Sequence, residues 1–167
     1  MLDAEDSQYF KDNKELVVSL SKQYQADVEN NNKAPMYLEY ISPVVGHGIK
    51  AAAQIKKGDF IWVYAGTLRK LRWSDPNFNE DVDYAWYYTI PNKQNEYMIV
   101  DGKYEGNELR FINHAHNPNT KRIDIVMGNK FYICYIASKD IKKDEELTVS
   151  YGAGYWDSRG IVPEKID

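Results

Sequence analysis

The sequence predicts an α+β fold, mainly β, built from several small sheets and one N-terminal helix. Three observations lead to this fold class. A helical period of apolar residues is clearest near the N-terminus. After Pro35, short aromatic and β-branched runs are separated by turn residues, as expected of strands. Aromatic residues make up 14% of the 167 residues, and 14 of them are tyrosines, which indicates β-structure, an aromatic-lined site, or both.

The helix is predicted over residues 7–28. Ser7 is a candidate N-cap, because a serine hydroxyl can accept a hydrogen bond from a free backbone N–H of the first turn. The polar residues 30–33 and then Pro35 end the helical pattern. The helix is compatible with packing on the core, with substrate contact or with dimerisation. One of its faces is apolar, at Val17, Leu20, Tyr24 and Val28.

Seven short segments rich in aromatic and β-branched residues are predicted to be strands. Gly128, Asn129 and Lys130 form the turn of the clearest hairpin between two of them. The polar residues 67–83 are predicted to be a loop or insert, and residues 103–113 a short helical turn. The predicted strands lie at residues 36–41, 60–66, 84–90, 97–100, 123–127, 131–136 and 147–151.

Charge and cysteine content narrow the function classes. The net charge of −4 argues against non-specific nucleic-acid binding, which needs a basic surface. A mildly acidic surface suits a basic peptide partner, and it equally suits ordinary solubility. Cys134 is the only cysteine, so the chain can form neither an internal disulfide nor a multi-cysteine zinc site.

Targeting signals are also not evident. The sequence opens on acidic residues where a secretory signal has positive charge, and its longest apolar stretch, near residues 60–65, is too short to span a bilayer. We therefore expect a soluble, intracellular protein that binds neither a membrane nor nucleic acid directly. The sequence does not distinguish nucleus from cytoplasm.

Several motifs carry chemistry, and each leaves an alternative open. The two glycines of Gly46-His47-Gly48 let the backbone approach a ligand closely, or form a plain turn. His114 and His116, with His47 or Asp124, suggest a metal-dependent hydrolase, but they are an incomplete ligand set. Nucleophilic hydrolysis is poorly supported, since Cys134 lies in the middle of a predicted strand.

Two motif blocks are far more specific. The first is Arg-Phe-Ile-Asn-His-Ala-His-Asn-Pro-Asn at 110–119, and the second is Glu-Leu-Thr-Val-Ser-Tyr-Gly at 146–152. Together with Gly46-His47-Gly48 and their order along the chain, they resemble the SET-domain protein-lysine methyltransferases. The resemblance covers residues 46–152, nearly two thirds of the chain. It is closest to a compact subtype without the post-SET zinc cysteines, similar to small viral-type SET proteins.

The resemblance implies a fold of small curved sheets with a C-terminal pseudoknot that brings the two blocks side by side. It divides the chain into an N-terminal helical extension at 1–34, the SET domain at 35–152 and a C-terminal lid at 153–167. It implies transfer of a methyl group from S-adenosylmethionine to a lysine side chain. The substrate is a lysine-containing protein or peptide, a histone among the candidates, and the chain is either a monomer or a homodimer.

The same resemblance implies the roles of individual residues. Tyr151, with Tyr64, is the expected catalytic tyrosine beside the axis of methyl transfer. An aromatic channel for the target lysine is expected from Tyr64, Trp86, Tyr88 and Tyr151. The expected cofactor-binding residues are Gly46, His47, Gly48, Arg110, Asn113, His114 and Trp156.

The chemistry fits these residue types. An aromatic channel holds the apolar lysine stem, excludes water and aligns the amine for in-line displacement. The attacking amine must be neutral, and both desolvation and a neighbouring positive charge lower its pKa from about 10.4.

Two departures from the family pattern matter. Ala115 and His116 stand where many members have serine and a zinc-binding cysteine, so we expect no metal. Val149 stands where a phenylalanine or tyrosine often sets the number of methyl groups, which leaves the methylation state open. The alternative function is a catalytically silent SET-fold module that binds a peptide without turnover.

Overall fold

The computed structural model describes residues 8–72, 83–89 and 96–157. The chain begins with two helices, α1 (Gln8–Asp12) and α2 (Lys14–Glu29), and the described part ends with α3 (Ala153–Asp157). A 3₁₀ turn spans Glu108–Phe111. Between α2 and α3, the described residues form ten strands: β1 (Met36–Ser42), β2 (Gly46–Ala51), β3 (Phe60–Val63), β4 (Thr67–Arg72), β5 (Ala85–Thr89), β6 (Glu96–Asp101), β7 (Asn113–His114), β8 (Thr120–Met127), β9 (Lys130–Ala137) and β10 (Glu146–Val149).

The strands form three small sheets, which confirms the predicted α+β, mainly β, fold class. The first sheet has the order β1-β2-β10-β7, the second β3-β9-β8 and the third β4-β6-β5. All pairings are antiparallel except that of β10 with β7. The predicted hairpin is the β8–β9 pair, whose turn contains Gly128 and Asn129, both with positive φ.

The predicted N-terminal helix is present but interrupted. Asn13 separates α1 from α2, and its backbone N–H and its side-chain amide both donate to the carbonyl oxygen of Tyr9, each at 3.0 Å. Asparagine often bonds neighbouring backbone groups in this way, which favours a turn over a continuous helix. Ser7, the predicted N-cap, lies outside the described residues.

The apolar face of α2 packs on the second sheet, as its periodicity predicts. Val17 and Tyr24 are buried, and Leu20 and Val28 pack at the edge of the same core. The Tyr24 hydroxyl also donates to the carbonyl oxygen of Gly58 at 2.8 Å. Burying these apolar side chains stabilises the helix far more than its intrinsic propensity does.

Two interpretations of the sequence are wrong. Residues 67–72, predicted to be part of a loop, form β4, which pairs with β6 over six residues. β4 lies at the edge of its sheet. Edge strands tolerate charged side chains, so the charged residues of this segment resembled those of a loop in the sequence. Gly46-His47-Gly48 is not a plain turn, because all three residues belong to β2.

Candidate active site

A parallel ladder joins the two motif blocks. β10 lies between β2 and β7, and Thr148 and Val149 of β10 pair with Asn113 and His114 of β7. β7 is only two residues long, so this contact depends on the placement of β10 rather than on any local preference of β7. The predicted juxtaposition of residues 110–119 and 146–152 is confirmed.

Asn113 is held by hydrogen bonds to residues of both β10 and β2. Its side-chain Nδ2 donates to Glu146 Oε1 at 2.7 Å and to the backbone carbonyl oxygen of His47 at 3.2 Å. A bond to a carboxylate is among the stronger hydrogen bonds in proteins. Glu146 was not singled out by the sequence, although it belongs to the second motif block. It fixes the orientation of the Asn113 amide.

The side chains of Asn113 and Glu146 leave no room for a Cβ atom at residue 48. A Cβ at residue 48 would lie 2.6 Å from Glu146 Oε1, 2.9 Å from Asn113 Nδ2 and 2.9 Å from Ile41 Cγ1. Gly46 differs, because its φ is +77° and its Cβ would meet no described atom within 4 Å. Glycine is therefore needed at these two positions for different reasons: close packing at Gly48 and backbone conformation at Gly46.

Burial and a hydrogen bond from the backbone favour the neutral form of His114, while the Val149 backbone acts in the opposite direction on its pKa. Its Nδ1 accepts a hydrogen bond from the backbone N–H of Tyr151 at 3.2 Å, so Nε2 carries the proton. Burial, and then the neighbouring His116, lower the pKa of His114 below its usual value. Within the described part of the chain, Nε2 is buried and has no hydrogen-bond partner.

Tyr151 is fixed at its hydroxyl. The hydroxyl donates to the backbone carbonyl oxygen of Ile112 at 2.7 Å. Burial, and then the neighbouring Tyr155, raise the pKa of Tyr151 well above its usual value. The phenol therefore stays protonated at physiological pH, and it can orient a substrate group but cannot serve as a strong base.

The short helix α3 brings an aromatic cluster to this site. The ring of Trp156 stacks on that of Tyr151, with centroids 5.9 Å apart and an interplanar angle of 19°. It also lies edge-on to His114 at 4.9 Å. Among the described residues, nothing accepts a hydrogen bond from the buried Trp156 Nε1. Gly152, with φ +83°, allows the chain to turn into α3.

Tyr64 belongs to the buried core cluster against which Trp86 and Tyr151 both pack. Tyr64 is 5% exposed and its hydroxyl donates to the carbonyl oxygen of Tyr84. Burial, and then Asp101, raise its pKa well above the usual value. For Tyr88 only the backbone in β5 is described, and its side chain lies outside what the structure describes.

Arg122 supports Trp86 and was missed by the sequence reasoning. Its Nε and Nη2 donate to Asp124 Oδ1 at 3.0 and 2.7 Å, and its Nη1 donates to the carbonyl oxygen of Tyr87 at 3.3 Å. Its guanidinium carbon lies 5.0 Å from the centroid of the Trp86 ring, within cation–π range. The alternation of charged and apolar residues in β8 is the only sequence signal for it.

Arg110 and His47 make contacts of a different kind. Arg110 Nη1 donates to the carbonyl oxygens of Gly102 and Lys103 at 3.2 and 3.1 Å, and so braces the turn before the first motif block. The exposed ring of His47 packs against Phe111 with centroids 5.9 Å apart. These side-chain contacts are structural.

The candidate metal ligands are dispersed. Asp124 is paired with Arg122, and the rings of His114 and His116 lie 5.2 Å apart, edge to face. Across residues 8–72, 83–89 and 96–157, no group of three histidine, cysteine, aspartate or glutamate side chains is placed to hold a metal ion. Over those same ranges, no helix has the length and apolar character needed to cross a membrane.

Comparison with known proteins gives consistent relatives. The SET domain family model matches residues 46–152. Histone-lysine N-methyltransferase EHMT1 from human and from mouse is 28% identical over 137 residues, covering 80% of this chain and 10% of the relative. Histone-lysine N-methyltransferase ASHH3 of Arabidopsis thaliana is 32% identical over 112 residues, covering 64% of this chain and 29% of the relative. The chain thus spans less than a third of the length of these relatives.

Solved structures share the fold. A chain of an active polycomb repressive complex 2 in the basal state superposes with a TM-score of 0.62 and 28% identity, over 75% of this chain and 16% of that one. The Neurospora SET domain protein DIM-5, a histone lysine methyltransferase, superposes with a TM-score of 0.61 and 24% identity, over 75% of this chain and 55% of that one. The family model covers well over half of the chain, and the chain belongs to the SET-domain family.

Proposed function

We propose that this protein is an S-adenosylmethionine-dependent protein-lysine N-methyltransferase. The observation that carries the proposal is the parallel β7–β10 ladder, which puts Asn113 and His114 beside the strand that leads to Tyr151. The relatives named above are histone-lysine N-methyltransferases, which supports the reaction class. Methyl transfer to an amine requires alignment and a dry site more than acid–base power, and fixed, protonated tyrosines suit that demand.

The proposed cofactor site fits a ligand with hydrogen-bond acceptors. His114 Nε2 and Trp156 Nε1 are both buried N–H donors for which the described residues supply no acceptor. Buried donors are nearly always paired in folded proteins, so an acceptor-bearing ligand is the natural partner. The adenine ring and the amino-acid carboxylate of the cofactor both carry acceptors.

We assign the cofactor to the backbone of Gly46, His47 and Gly48, to Asn113 and His114, and to Trp156 as a cover over the adenine. Arg110 is assigned an indirect part, since it braces the turn that leads into Asn113. When bound, S-adenosylmethionine supplies an electrophilic methyl group attached to positively charged sulfur. The proposal involves no metal.

The proposed lysine channel consists of Tyr64, Trp86, Tyr88 and Tyr151. The aromatic walls hold the aliphatic stem of the lysine and exclude water. In such an environment the charged amine is disfavoured, so the pKa of the lysine falls from about 10.4 toward neutrality. Tyr151 and Tyr64 orient the neutral amine through their hydroxyl groups or ring faces, without removing a proton themselves.

The proposed substrate is a lysine-containing protein or peptide, and a histone is the first to test. The net charge of −4 suits a basic partner. In this proposal residues 35–152 are the catalytic domain, and α2 of the N-terminal extension at 1–34 buttresses the second sheet. The lid over the cofactor, which uses no zinc, is assigned to residues 153–167, of which the structure describes only residues 153–157. We place the reaction inside the cell. Sedimentation velocity measurements would distinguish a monomer from a homodimer.

The test is transfer of a labelled methyl group onto a panel of histones and lysine peptides, with Tyr151→Phe as the matched variant. We expect transfer by the wild type and a loss of at least tenfold in the variant, which corresponds to about 1.4 kcal/mol of transition-state stabilisation. Calorimetry should show that the variant still binds the cofactor. Cofactor binding by the wild type with no transfer to any lysine substrate would favour the silent peptide-binding module.

A further inference from the structure

The N-terminal helix α1 lies beside β5, the strand that carries Trp86 of the proposed lysine channel. α1 precedes the region matched by the family model, residues 46–152, so membership of the family assigns it no role. Tyr9 of α1 is 40% exposed, and its ring lies edge-on to that of Phe131 with centroids 6.4 Å apart. The Tyr9 hydroxyl donates a hydrogen bond to the Asp124 carboxylate. Through these two contacts α1 is attached to the second sheet.

Asp124 connects Tyr9 to Arg122. The Asp124 side chain is 8% exposed, and its Oδ1 accepts hydrogen bonds from Nε and Nη2 of Arg122 at 3.0 and 2.7 Å. Burial, and then the charge of Asp124 and the hydrogen bond to it, raise the pKa of Tyr9 to about 12, while Arg122 acts in the opposite direction. The Tyr9 hydroxyl therefore stays protonated and remains a donor. Because an unpaired buried charge is costly, the three side chains hold one another in a fixed arrangement.

Arg122 extends this arrangement to β5. Arg122 belongs to β8 of the second sheet, whereas β5 is an edge strand of the third sheet. Arg122 Nη1 donates to the carbonyl oxygen of Tyr87 at 3.3 Å, and the guanidinium carbon lies 5.0 Å from the centroid of the Trp86 ring. The guanidinium is thus fixed between the Asp124 carboxylate and β5. The position of Trp86 relative to the second sheet depends on a side chain that Asp124 holds in place.

We propose that Tyr9 is a positioning residue for the lysine channel, acting through Asp124 and Arg122 on Trp86. The inference rests on the proposed function, and it makes the N-terminal extension part of substrate recognition as well as a support for the second sheet. Trp86 holds the aliphatic stem of the lysine in the ground state and in the transition state alike, so a displaced Trp86 weakens peptide binding without altering the chemical step. None of these four side chains is assigned to the cofactor, whose affinity should stay the same.

The decisive variant is Tyr9→Phe, which removes only the hydroxyl group. We expect KM for the lysine peptide to rise about fivefold, with kcat and the Kd of S-adenosylmethionine unchanged within about twofold. Arg122→Lys keeps the charge but loses the planar fork that contacts a carboxylate, a carbonyl and a ring together. It should raise the peptide KM at least as much. In the Arg122→Lys background, Tyr9→Phe should add nothing to KM, because the chain of contacts to Trp86 is already broken.

Tyr24→Phe is the matched control. Its hydroxyl joins α2 to the Gly58 carbonyl oxygen at 2.8 Å, so its loss should lower the melting temperature and leave the peptide KM unchanged. If Tyr9→Phe also lowers the melting temperature without changing the peptide KM, Tyr9 only supports the fold and the proposal is wrong. Independent, additive effects of Tyr9→Phe and Arg122→Lys on KM would contradict it too, because both residues are proposed to act through the same contacts.

Two results separate this role from the proposed function. Turnover by the wild type, with an unchanged peptide KM in Tyr9→Phe, overturns the role of Tyr9 alone. No transfer by the wild type to any lysine substrate overturns the methyltransferase assignment, and the positioning role of Tyr9 with it.

Discussion

Replacing Gly48 by alanine tests whether the hydrogen bond between Asn113 and Glu146 fixes the geometry of the proposed cofactor site. The new methyl group would lie 2.6 Å from Glu146 Oε1 and 2.9 Å from both Asn113 Nδ2 and Ile41 Cγ1. Unstrained contacts to carbon are about 3.5–4.0 Å, so at least one of these three groups must move. The backbone needs no change, because residue 48 does not have a positive φ. The effect is therefore steric.

The magnitude follows from what the displaced groups lose. Moving Ile41 away costs about 1–3 kcal/mol by overpacking, and breaking the bond from Asn113 to the Glu146 carboxylate costs about 1.5–3 kcal/mol. Because partial movement of each group avoids the full sum, we expect a loss of about 3 kcal/mol. For a chain of this length, that lowers the melting temperature by about 6–12 °C. A displaced Asn113 should also weaken cofactor binding by about tenfold, equivalent to about 1.4 kcal/mol.

The assays are thermal unfolding and calorimetric titration with S-adenosylmethionine. Glu146→Ala gives the control background, because it removes the atom that the new methyl group would approach most closely. In the Glu146→Ala background, the loss of unfolding free energy caused by Gly48→Ala should be smaller by about 1 kcal/mol or more. Strictly additive costs, or a melting temperature of Gly48→Ala within about 2 °C of the wild type, would refute this account of the glycine.

Two further predictions concern the aromatic and histidine groups at the same site. Trp156→Ala should weaken cofactor binding more than it lowers the melting temperature, and unchanged affinity in a folded variant would remove Trp156 from the cofactor site. The lowered pKa of His114 means that the unfolded chain takes up its proton first as pH falls below about 6.5, so stability falls with pH from there. In His114→Asn, whose Oδ1 can still accept from the Tyr151 N–H, the melting temperature should depend less on pH between 7 and 5. If the melting temperatures of the wild type and of His114→Asn depend on pH in the same way, the contribution assigned to His114 is wrong.

The sequence was most informative where a pattern extends over many residues. The period of α2, the β8–β9 hairpin and the order of the two motif blocks each involve several positions that agree with one another. β4 was missed because an edge strand tolerates the charges that usually mark a loop. β7 was missed because two residues carry no periodicity, and its pairing with β10 depends on the whole first sheet.

Within the candidate site, residue types could be predicted but their partners could not. Asn113, His114 and Tyr151 stand in recognisable motifs, whereas the bond from Asn113 to Glu146 exists only because β7 and β10 lie side by side. The complete burial of Tyr135 is a three-dimensional property, since one tyrosine among 14 looks like any other in the sequence. The roles proposed for these residues remain predictions for the experiments above.

Two buried donors in the described part of the protein lie against one tyrosine. His114 Nε2 and Trp156 Nε1 belong to residues whose rings pack against Tyr151, and neither has an acceptor among the described residues. Each costs stability while it has no partner. A cofactor that accepts from both N–H groups would relieve that cost. S-adenosylmethionine should therefore raise the melting temperature of the wild type more than that of Trp156→Ala, and equal shifts in the two proteins would contradict this account.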